Sequence, residues 1–403
     1  MIGISKLYCG AVEPSDVLRY NRMSGMLPSE LLQFSRDKKP VVVWNCTRTC
    51  NLKCLHCYAG SEAKQYEGEL DTDQAKAMID DLAAFGSPVL LFSGGEPTLR
   101  PDLVELMKHA KSKGMRCVLS TNGTTITKEK AAEYAEVGLS YVGVSLDGGK
   151  ATHDKFRGMP GSFDRAMEGV RNSREAGIKV GLRMTINKGN VQDIDEVFDI
   201  MEAEQINRAC FYHLVYAGRG TELMKEDLDH EQTRAAVKLI MKRTREWFDR
   251  GGKPEILTVD NHADAVLIYQ TLLGEDEKKA ADCMELLQWN GGNSSGNGIG
   301  CISWDGEVYA DQFWRHYSFG NVTERPFSEI WSDTRRLAEG GTEQSELMFK
   351  LKDKKPWVKG RCHDCKWLDI CGGNFRVRAE AATGDLWAPD PACYLSDEEI
   401  GTV

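Results

Sequence analysis

The chain has 403 residues, of which 41% are hydrophobic and 28% are charged, a balance typical of a globular protein with two or three domains. Its formal net charge of −10 disfavours a general nucleic-acid binder, which usually presents a basic surface, but allows a small anionic substrate. No segment has the apolar length of a membrane span, and the first residues lack the apolar core of a signal peptide. We therefore expect a cytoplasmic protein without nucleic-acid or membrane partners.

Short β-branched or apolar segments alternate with helix-like segments between residues 40 and 217. The predicted strands cover 40–46, 87–95, 114–123, 139–148, 177–187 and 207–216. The helices between them carry start and stop signals, such as the acidic residue Asp71 and the terminal Gly86. This alternation predicts an α/β fold with a parallel sheet, a partial (β/α)6 barrel of the TIM type whose mouth can admit a large ligand.

Further along the chain, the alternation gives way to helices and then to a cysteine-rich region. Residues 227–249 and 255–288 have mostly helical patterns, and short strand signals follow the glycine-rich loop at 291–300. We therefore predict four parts along the chain. They are an N-terminal extension (1–39), the barrel (40–250), a helical linker (251–282) and a small cysteine-rich domain (283–403).

Eight of the thirteen cysteines cluster at 46–57 and at 362–393, which indicates metal ligation under reducing conditions. In the first cluster, Cys50, Cys54 and Cys57 have the spacing C-x3-C-x2-C, and a loop can place three such thiolates around an iron–sulfur cluster. Adding Cys46 would supply the four ligands of a zinc site, although such sites usually pair two short knuckles across a longer gap. Cys46 lies within the first predicted strand on the same face as Trp44, so we expect it to pack in the core.

The segment CNLKCLHCY (50–58) resembles the signature of the radical S-adenosylmethionine (SAM) superfamily. Further motifs of that family follow in the same order, at SGGEP (93–97), STNG (120–123), SLDG (145–148) and HDKFRG (153–158). In the family, three cysteines bind a 4Fe–4S cluster and SAM chelates the remaining iron. The resemblance implies reductive cleavage of SAM to methionine and a 5′-deoxyadenosyl radical, with the electron supplied by a donor such as ferredoxin or flavodoxin.

The resemblance also assigns SAM contacts to residues at the carboxyl ends of the strands. The predicted set is Gly94, Gly95, Glu96, Pro97, Thr121, Asn122, Ser145, Asp147, Arg157, Arg183 and Asn187. Glu96 is expected near the SAM ammonium group, and Ser145 and Asp147 near the ribose hydroxyls. Arg157 or Arg183 would pair with the SAM carboxylate, and Arg183 would equally suit the substrate. The Gly-Gly and Asn-Gly pairs also suit simple turns.

The second cysteine cluster has the spacing C-x2-C-x5-C at Cys362, Cys365 and Cys371, with Cys393 further along. By spacing alone, these four cysteines would suit zinc or an iron–sulfur cluster. Together with residues 301–331, this tail resembles the SPASM extension of radical SAM enzymes, which carries auxiliary 4Fe–4S clusters. The resemblance implies one auxiliary 4Fe–4S cluster held by all four cysteines, which would leave no open iron for the substrate.

The tail departs from the full SPASM pattern at two positions. Asp311 and Phe375 stand where the pattern has cysteines, and only Cys301 and Cys283 remain as candidates for an inner auxiliary site. Phenylalanine cannot bind iron, and a carboxylate is a poor match for a soft cluster, so an oxygen ligand from Asp311 is a minor alternative. We therefore predict that the inner auxiliary cluster is absent.

The motifs do not by themselves identify the substrate. Residues 3–20 (GISKLYCGAVEPSDVLRY) resemble the start of the haem-biosynthesis members of the superfamily, and the reduced SPASM pattern is similar to theirs. This resemblance implies an enzyme of the sirohaem-dependent haem pathway that removes acetate side chains from 12,18-didecarboxysirohaem to give iron-coproporphyrin III. The alternatives are a haem d1 enzyme acting on the same substrate, a peptide-modifying radical SAM enzyme, and a non-catalytic zinc-binding module.

An iron tetrapyrrole is large, flat and polycarboxylated, so its binding site needs arginines for the carboxylates and aromatic side chains for the faces. The candidates are Arg19, Arg22, Arg48, Arg219 and Arg315, with Trp314 and Tyr317 close to the last in sequence. His213 and His316 are the candidate axial ligands for the iron, although an isolated histidine is more often structural.

Overall fold

A ten-stranded sheet forms the centre of the computed structural model, which describes residues 1–11 and 39–402. The strands are β1 (Ile2–Gly3), β2 (Val41–Thr47), β3 (Val89–Gly94), β4 (Arg116–Thr121), β5 (Val142–Ser145), β6 (Val180–Ile186), β7 (Arg208–His213), β8 (Glu255–Val259), β9 (Ile299–Ile302) and β10 (Val308–Tyr309). Their order across the sheet is β1-β8-β7-β6-β5-β4-β3-β2-β9-β10. Neighbours from β8 to β9 are parallel, and β1 and β10 pair antiparallel at the two edges.

Helices connect the successive parallel strands, and further helices follow β10 in the C-terminal region. They are α1 (Ile4–Cys9), α2 (Thr72–Phe85), α3 (Leu103–Ser112), α4 (Lys128–Glu136), α5 (Lys150–Arg157), α6 (Ser162–Glu175), α7 (Ile194–Ala203), α8 (His230–Asp249), α9 (Ala263–Glu275), α10 (Glu277–Asn290), α11 (Phe327–Ser332), α12 (Glu343–Lys352), α13 (Leu368–Cys371), α14 (Arg376–Thr383) and α15 (Asp397–Ile400). Helix α2 shows why the sequence signals work: Asp71 and Gln74 form a capping box, and Gly86 ends the helix at a φ of 87°. No helix in the described residues is long and apolar enough to cross a membrane.

The six predicted strands coincide with β2 to β7, and the prediction of a partial barrel is confirmed. The prediction of a helical linker over 251–282 is wrong at its start, because Glu255–Val259 forms β8 and pairs in parallel with β7. This five-residue strand lies directly before two helices, so its apolar residues were read as part of the helical pattern. Strand β9, from the cysteine-rich region, extends the parallel sheet on the other side of β2.

The alternation of side chains along β2 decides the role of Cys46. Trp44 and Cys46 are completely buried in the main core, whereas Val43 packs on the opposite face with Cys301 and Tyr309. The Cys46 thiol donates a hydrogen bond to the Ser93 carbonyl at 3.3 Å, and burial raises its pKa to about 12. The prediction that Trp44 and Cys46 share one buried face is therefore confirmed.

Candidate functional site

The C-x3-C-x2-C motif lies on a loop (48–62, the cluster loop) that leaves the carboxyl end of β2. Cys50 and Cys54 are buried and Cys57 is half-buried, with Leu52 and Met159 packed against them. Burial, Glu96 and the two neighbouring thiols raise the pKa of Cys50 to about 12. Three close, buried thiols hold their protons unless a cation compensates the thiolates, and their soft donor atoms fit an iron–sulfur cluster.

The Gly94–Gly95 turn packs directly against the start of the cluster loop. The Gly95 amide donates to the Thr47 carbonyl at 2.7 Å, and the Glu96 amide donates to the Thr49 carbonyl at 2.8 Å. A Cβ atom on Gly94 would lie 2.3 Å from the Thr47 oxygen, and one on Gly95 would lie 2.3 Å from the Thr49 oxygen. Glycine is therefore required here by contact between two backbone segments, and contact of these glycines with SAM stays a prediction.

Glu96 links the ends of β3 and β4 from a completely buried position. Its carboxylate accepts hydrogen bonds from the Thr98 amide and hydroxyl at 3.1 and 2.6 Å, the Thr121 hydroxyl at 2.6 Å and the Asn122 amide at 2.7 Å. Burial raises the pKa of Glu96, and these hydrogen bonds oppose the rise. Pro97 begins the short 3-10 helix Pro97–Leu99 that follows. These contacts are all internal, so binding of the SAM ammonium by Glu96 stays a prediction.

Asn122 connects β4 to the cluster loop. Its side-chain amide donates to Asn51 Oδ1 at 2.8 Å, and the Asn51 amide donates to the Thr124 hydroxyl at 2.8 Å. Gly123 has a φ of 76°, so the Asn-Gly pair also forms a tight turn. The turn interpretation thus holds, and the same turn braces the residue that follows Cys50.

A buried ion pair lies beside Cys54. Asp147 Oδ2 is 2.7 Å from Arg157 Nη2, and Arg157 Nη1 donates to Cys54 Sγ at 3.5 Å. Burial alone would raise the pKa of Asp147, but Arg157 and His56 hold it below the usual value. The predicted ribose ligand therefore fixes an arginine that places positive charge next to a cluster thiol, where it favours the thiolate.

The remaining predicted SAM residues occupy different surroundings. Arg183 is buried within the barrel, where it donates to the Ser120 hydroxyl at 2.5 Å and lies near Tyr141 and Tyr212. Asn187 is buried and uses its side chain in its own turn, accepting from the Gly189 amide at 2.8 Å. Ser145 is partly exposed at the end of β5. The structure thus places Gly95, Glu96, Asn122, Asp147 and Arg157 against the cluster loop, and it leaves Arg183 and Asn187 with internal partners.

The second set of cysteines surrounds one small apolar cavity. Cys362, Cys365, Cys371 and Cys393 line it, together with apolar side chains that include Val266 and Leu368. Burial raises the pKa of Cys371 well above its usual value, and the other three thiols add to the rise. Four soft donors facing one apolar space fit the predicted auxiliary cluster.

The inner auxiliary site is filled by protein. Phe375 is buried against Phe313, with ring centres 5.6 Å apart. Asp311 is buried and accepts hydrogen bonds from the Phe313 and Trp314 amides at 2.8 and 3.1 Å. The two leftover cysteines are Cys283 and Cys301, which belong to different core clusters. The Asp311 carboxylate thus serves its own turn, and a metal role for it gains no support.

A cavity of about 600 Å³ opens beside the cluster loop, between the barrel and the cysteine-rich domain. Arg48 and Tyr58 line it from the barrel side, and Phe313 and Arg315 line it from the other domain. The two guanidinium groups lie 5.1 and 4.1 Å from the ring centre of Trp304, and neither has a carboxylate partner among the described residues. The cavity therefore combines aromatic walls with two arginines and the carboxylate of Glu380.

Other predicted substrate residues have structural partners. Arg219 donates to the Cys54 carbonyl at 2.8 Å and so supports the cluster loop. Trp314 is buried and donates to Glu380, and Tyr317 donates to the same carboxylate. Buried His213 pairs with Asp264, whereas His316 lines the cavity. Arg19 and Arg22 lie outside the described residues.

Sequence reasoning overlooked several residues that line or support the cavity. Phe313 and Glu380 line its wall. The guanidinium groups of Arg48 and Arg315 both contact the Trp304 ring. Tyr58 follows the last cysteine of the motif, and this position was the available signal for it. Glu380 had no such signal, because it lies in an ordinary polar helix, α14.

Comparisons with known proteins agree with this geometry. The model of the radical SAM superfamily matches residues 44–201, and the model of the SPASM iron–sulfur cluster-binding domain matches residues 296–366. Fe-coproporphyrin III synthase of Methanosarcina barkeri is 63% identical over 100% of this chain and 99% of its own length. Pre-heme d1 synthase of Dinoroseobacter shibae is 42% identical over 90% of this chain and 88% of its own. Native anSMEcpe with bound AdoMet shares the fold, with a TM-score of 0.67 at 20% identity over 90% of this chain and 95% of its own.

The chain therefore belongs to the radical SAM superfamily and carries a C-terminal SPASM domain. It is an enzyme whose cofactors are SAM and two 4Fe–4S clusters, one in each domain, as the sequence predicted. Its relatives include enzymes named for haem biosynthesis, which confirms the predicted branch.

Proposed function

We propose that this enzyme removes two acetate side chains from 12,18-didecarboxysirohaem to give iron-coproporphyrin III. The relative named Fe-coproporphyrin III synthase aligns over the whole chain at 63% identity, whereas the pre-heme d1 synthase is more distant at 42%. The haem d1 reaction is therefore the second choice. SAM, when bound, supplies the 5′-deoxyadenosyl radical that starts the reaction on the substrate.

The observation that carries this proposal is the cavity with two unpaired arginines beside the cluster loop. Its volume of about 600 Å³ is within the usual range for a site that encloses a large ligand. Arg48 and Arg315 both lie against the ring of Trp304, where each guanidinium can contact a carboxylate of the substrate. Tyr58 and Phe313, with ring centres 5.1 Å apart, supply an aromatic surface for a flat macrocycle.

Residues of the chain fit the tasks of holding the first cluster and SAM. We assign cluster ligation to Cys50, Cys54 and Cys57, and we assign charge stabilisation at Cys54 to Arg157, which lies 3.5 Å from its sulfur. Cys362, Cys365, Cys371 and Cys393 would hold the auxiliary cluster in the apolar cavity that they line.

The test is anaerobic incubation of the cluster-loaded enzyme with SAM, dithionite and 12,18-didecarboxysirohaem. We expect 5′-deoxyadenosine together with a tetrapyrrole product that has lost both acetate groups, identified by mass spectrometry. The double variant Arg48→Met/Arg315→Met should raise the KM on the order of a hundredfold or more, because the two lost charge-assisted contacts together contribute roughly 3–6 kcal/mol. Arg171→Met removes an exposed arginine paired with Glu204 and serves as the control.

Several results would overturn the proposal. SAM cleavage that the tetrapyrrole does not stimulate would exclude this substrate, and stimulation by a small peptide would favour the peptide-modifying class. A product that retains both acetates would favour the haem d1 reaction. We further propose a cytoplasmic enzyme that receives electrons from a ferredoxin or flavodoxin. The thirteen unpaired cysteines support a reducing compartment.

A further inference from the structure

His316 lies on the wall of the cavity opposite the barrel and is paired with a carboxylate. Its Nε2 atom is 2.8 Å from Glu380 Oε2. Glu380 also accepts hydrogen bonds from Trp314 Nε1 at 2.7 Å and from the Tyr317 hydroxyl at 2.8 Å. The His316 side chain is 57% exposed and Glu380 only 15%, so the carboxylate is held in place while the imidazole faces open space.

This arrangement prepares the imidazole for metal binding. Burial would raise the pKa of Glu380, but the hydrogen bonds from His316, Trp314 and Tyr317 hold it below its usual value, so the group is a carboxylate at neutral pH. Because Nε2 faces the Glu380 carboxylate, Nδ1 is the ring nitrogen left for a metal. In metal-ligating histidines, the second ring N–H usually donates a hydrogen bond to a group such as a carboxylate.

We propose that Nδ1 of His316 is an axial ligand of the iron in the tetrapyrrole substrate. This inference rests on the proposed function and adds the residue by which the enzyme distinguishes an iron tetrapyrrole from a metal-free one. The iron belongs to the substrate, so one protein ligand is sufficient and no preformed metal site is required.

Other donors at the cavity are less suited to this role. The Tyr58 hydroxyl donates to Asn45 Oδ1 at 2.9 Å, and the Tyr216 hydroxyl donates to Asp227 at 2.7 Å, so both are engaged with neighbours. His213 is buried in a pair with Asp264 and does not line the cavity. His316 is the histidine that lines this cavity in the described part of the chain.

The position of His316 also complements the arginines. It directly follows Arg315, whose Nη1 donates to the Ala59 carbonyl at 3.1 Å and whose guanidinium stacks on Trp304 at 4.1 Å. One short segment thus presents an imidazole for the iron and a guanidinium for a carboxylate of the same macrocycle. Fixing the iron and one propionate or acetate group determines which edge of the ring faces the cluster loop.

The test uses the enzyme with both clusters oxidised and ferric iron-coproporphyrin III as the probe. In protein labelled with 15N-histidine, pulsed EPR of the bound ferric iron should detect hyperfine coupling to one imidazole nitrogen. His316→Ala should lose this coupling and bind the probe at least tenfold more weakly, and added imidazole should restore the spectrum. His109→Ala is the matched control, because His109 forms the same kind of pair with Asp80 at 2.8 Å on a distant helix.

Metal-free coproporphyrin III separates iron ligation from general damage to the cavity. His316→Ala should bind it as tightly as the unaltered enzyme does, and equal weakening of both probes would overturn the proposal. Retention of the imidazole coupling in His316→Ala would also overturn it. If the unaltered enzyme shows the coupling but does not remove acetate groups, the proposed function fails and the iron ligand stands.

Glu380→Gln tests the supporting carboxylate separately. The uncharged amide is a weaker hydrogen-bond acceptor for the imidazole N–H than the carboxylate is. The imidazole then becomes a weaker electron donor to the iron, so the midpoint potential of the bound iron should rise. An unchanged potential would show that Glu380 only packs against His316.

Discussion

Replacing Asp147 with asparagine removes one half of the buried ion pair that it forms with Arg157 at 2.7 Å. Breaking such a pair leaves an uncompensated charge and typically costs about 3–5 kcal/mol. Arg157 keeps the Cys54 sulfur at 3.5 Å as a partner, so we expect a loss near the lower end, about 3 kcal/mol. Lys150→Met on α5 is the control, because its pair with Asp164 is about 60% exposed and should contribute little to the free energy of unfolding.

The measurement is anaerobic urea unfolding of the cluster-loaded protein, followed by tryptophan fluorescence. The double variant Asp147→Asn/Arg157→Met should lose less stability than the sum of the two single variants, because it no longer buries an unpaired charge. A loss for Asp147→Asn within 1 kcal/mol of the Lys150→Met control would refute the reasoning and restore Asp147 to a purely ligand-binding role.

Three further predictions concern the cysteines, a glycine and an acid. Cys54→Ala should lose the SAM cluster and lower the iron content from about eight to about four per chain. Cys46→Ala should keep all the iron and cleave SAM. Loss of iron in the Cys46 variant would contradict this division of roles. Gly95→Ala, whose Cβ would lie 2.3 Å from a backbone oxygen of the cluster loop, should also lose that cluster, whereas Gly274→Ala, with open space around it, should not. Burial raises the pKa of Asp260 to about 7, so the folded state binds this proton more tightly than the unfolded state and loses stability as the pH rises from about 4 to 7. Asp260→Asn should therefore raise the free energy of unfolding at pH 8 by up to about 4 kcal/mol and change it little at pH 4, and an equal effect at both pH values would contradict the cause.

The six barrel strands could be predicted because local signals and tertiary structure agree there. Apolar runs of strand length end in glycine or polar residues, and capped helices lie between them, as at Asp71 and Gly86. Strand β8 was missed because its five residues form a strand only by pairing with β7 on one side and β1 on the other. A strand signal near β9 was readable, but its pairing with β2, about 250 residues earlier in the chain, is recorded by no local pattern.

Some features of the site could be predicted from the spacing of residues in the sequence, and others could not. The spacing of Cys50, Cys54 and Cys57 follows from the chemistry of a cluster and is readable in the sequence. The partner of Asp147 is not readable, because the contact with Arg157 depends on how α5 folds back over the cluster loop. The cavity could not be predicted for the same reason. Its two arginines come from different domains, and both contact Trp304 only in the folded chain.

The pairing of β9 with β2 has a consequence for dividing this protein. Val41 to Trp44 bond in parallel register with Ile299 to Ile302, so the first barrel strand has the C-terminal region as its outer neighbour. A shortened chain that ends before β9 would expose one whole edge of β2, with its unpaired amides and carbonyls and the apolar side chains of its inner face. Such an edge invites pairing with other chains and aggregation. The barrel and the iron–sulfur domain therefore form one inseparable unit for expression, and neither half is a freely exchangeable module.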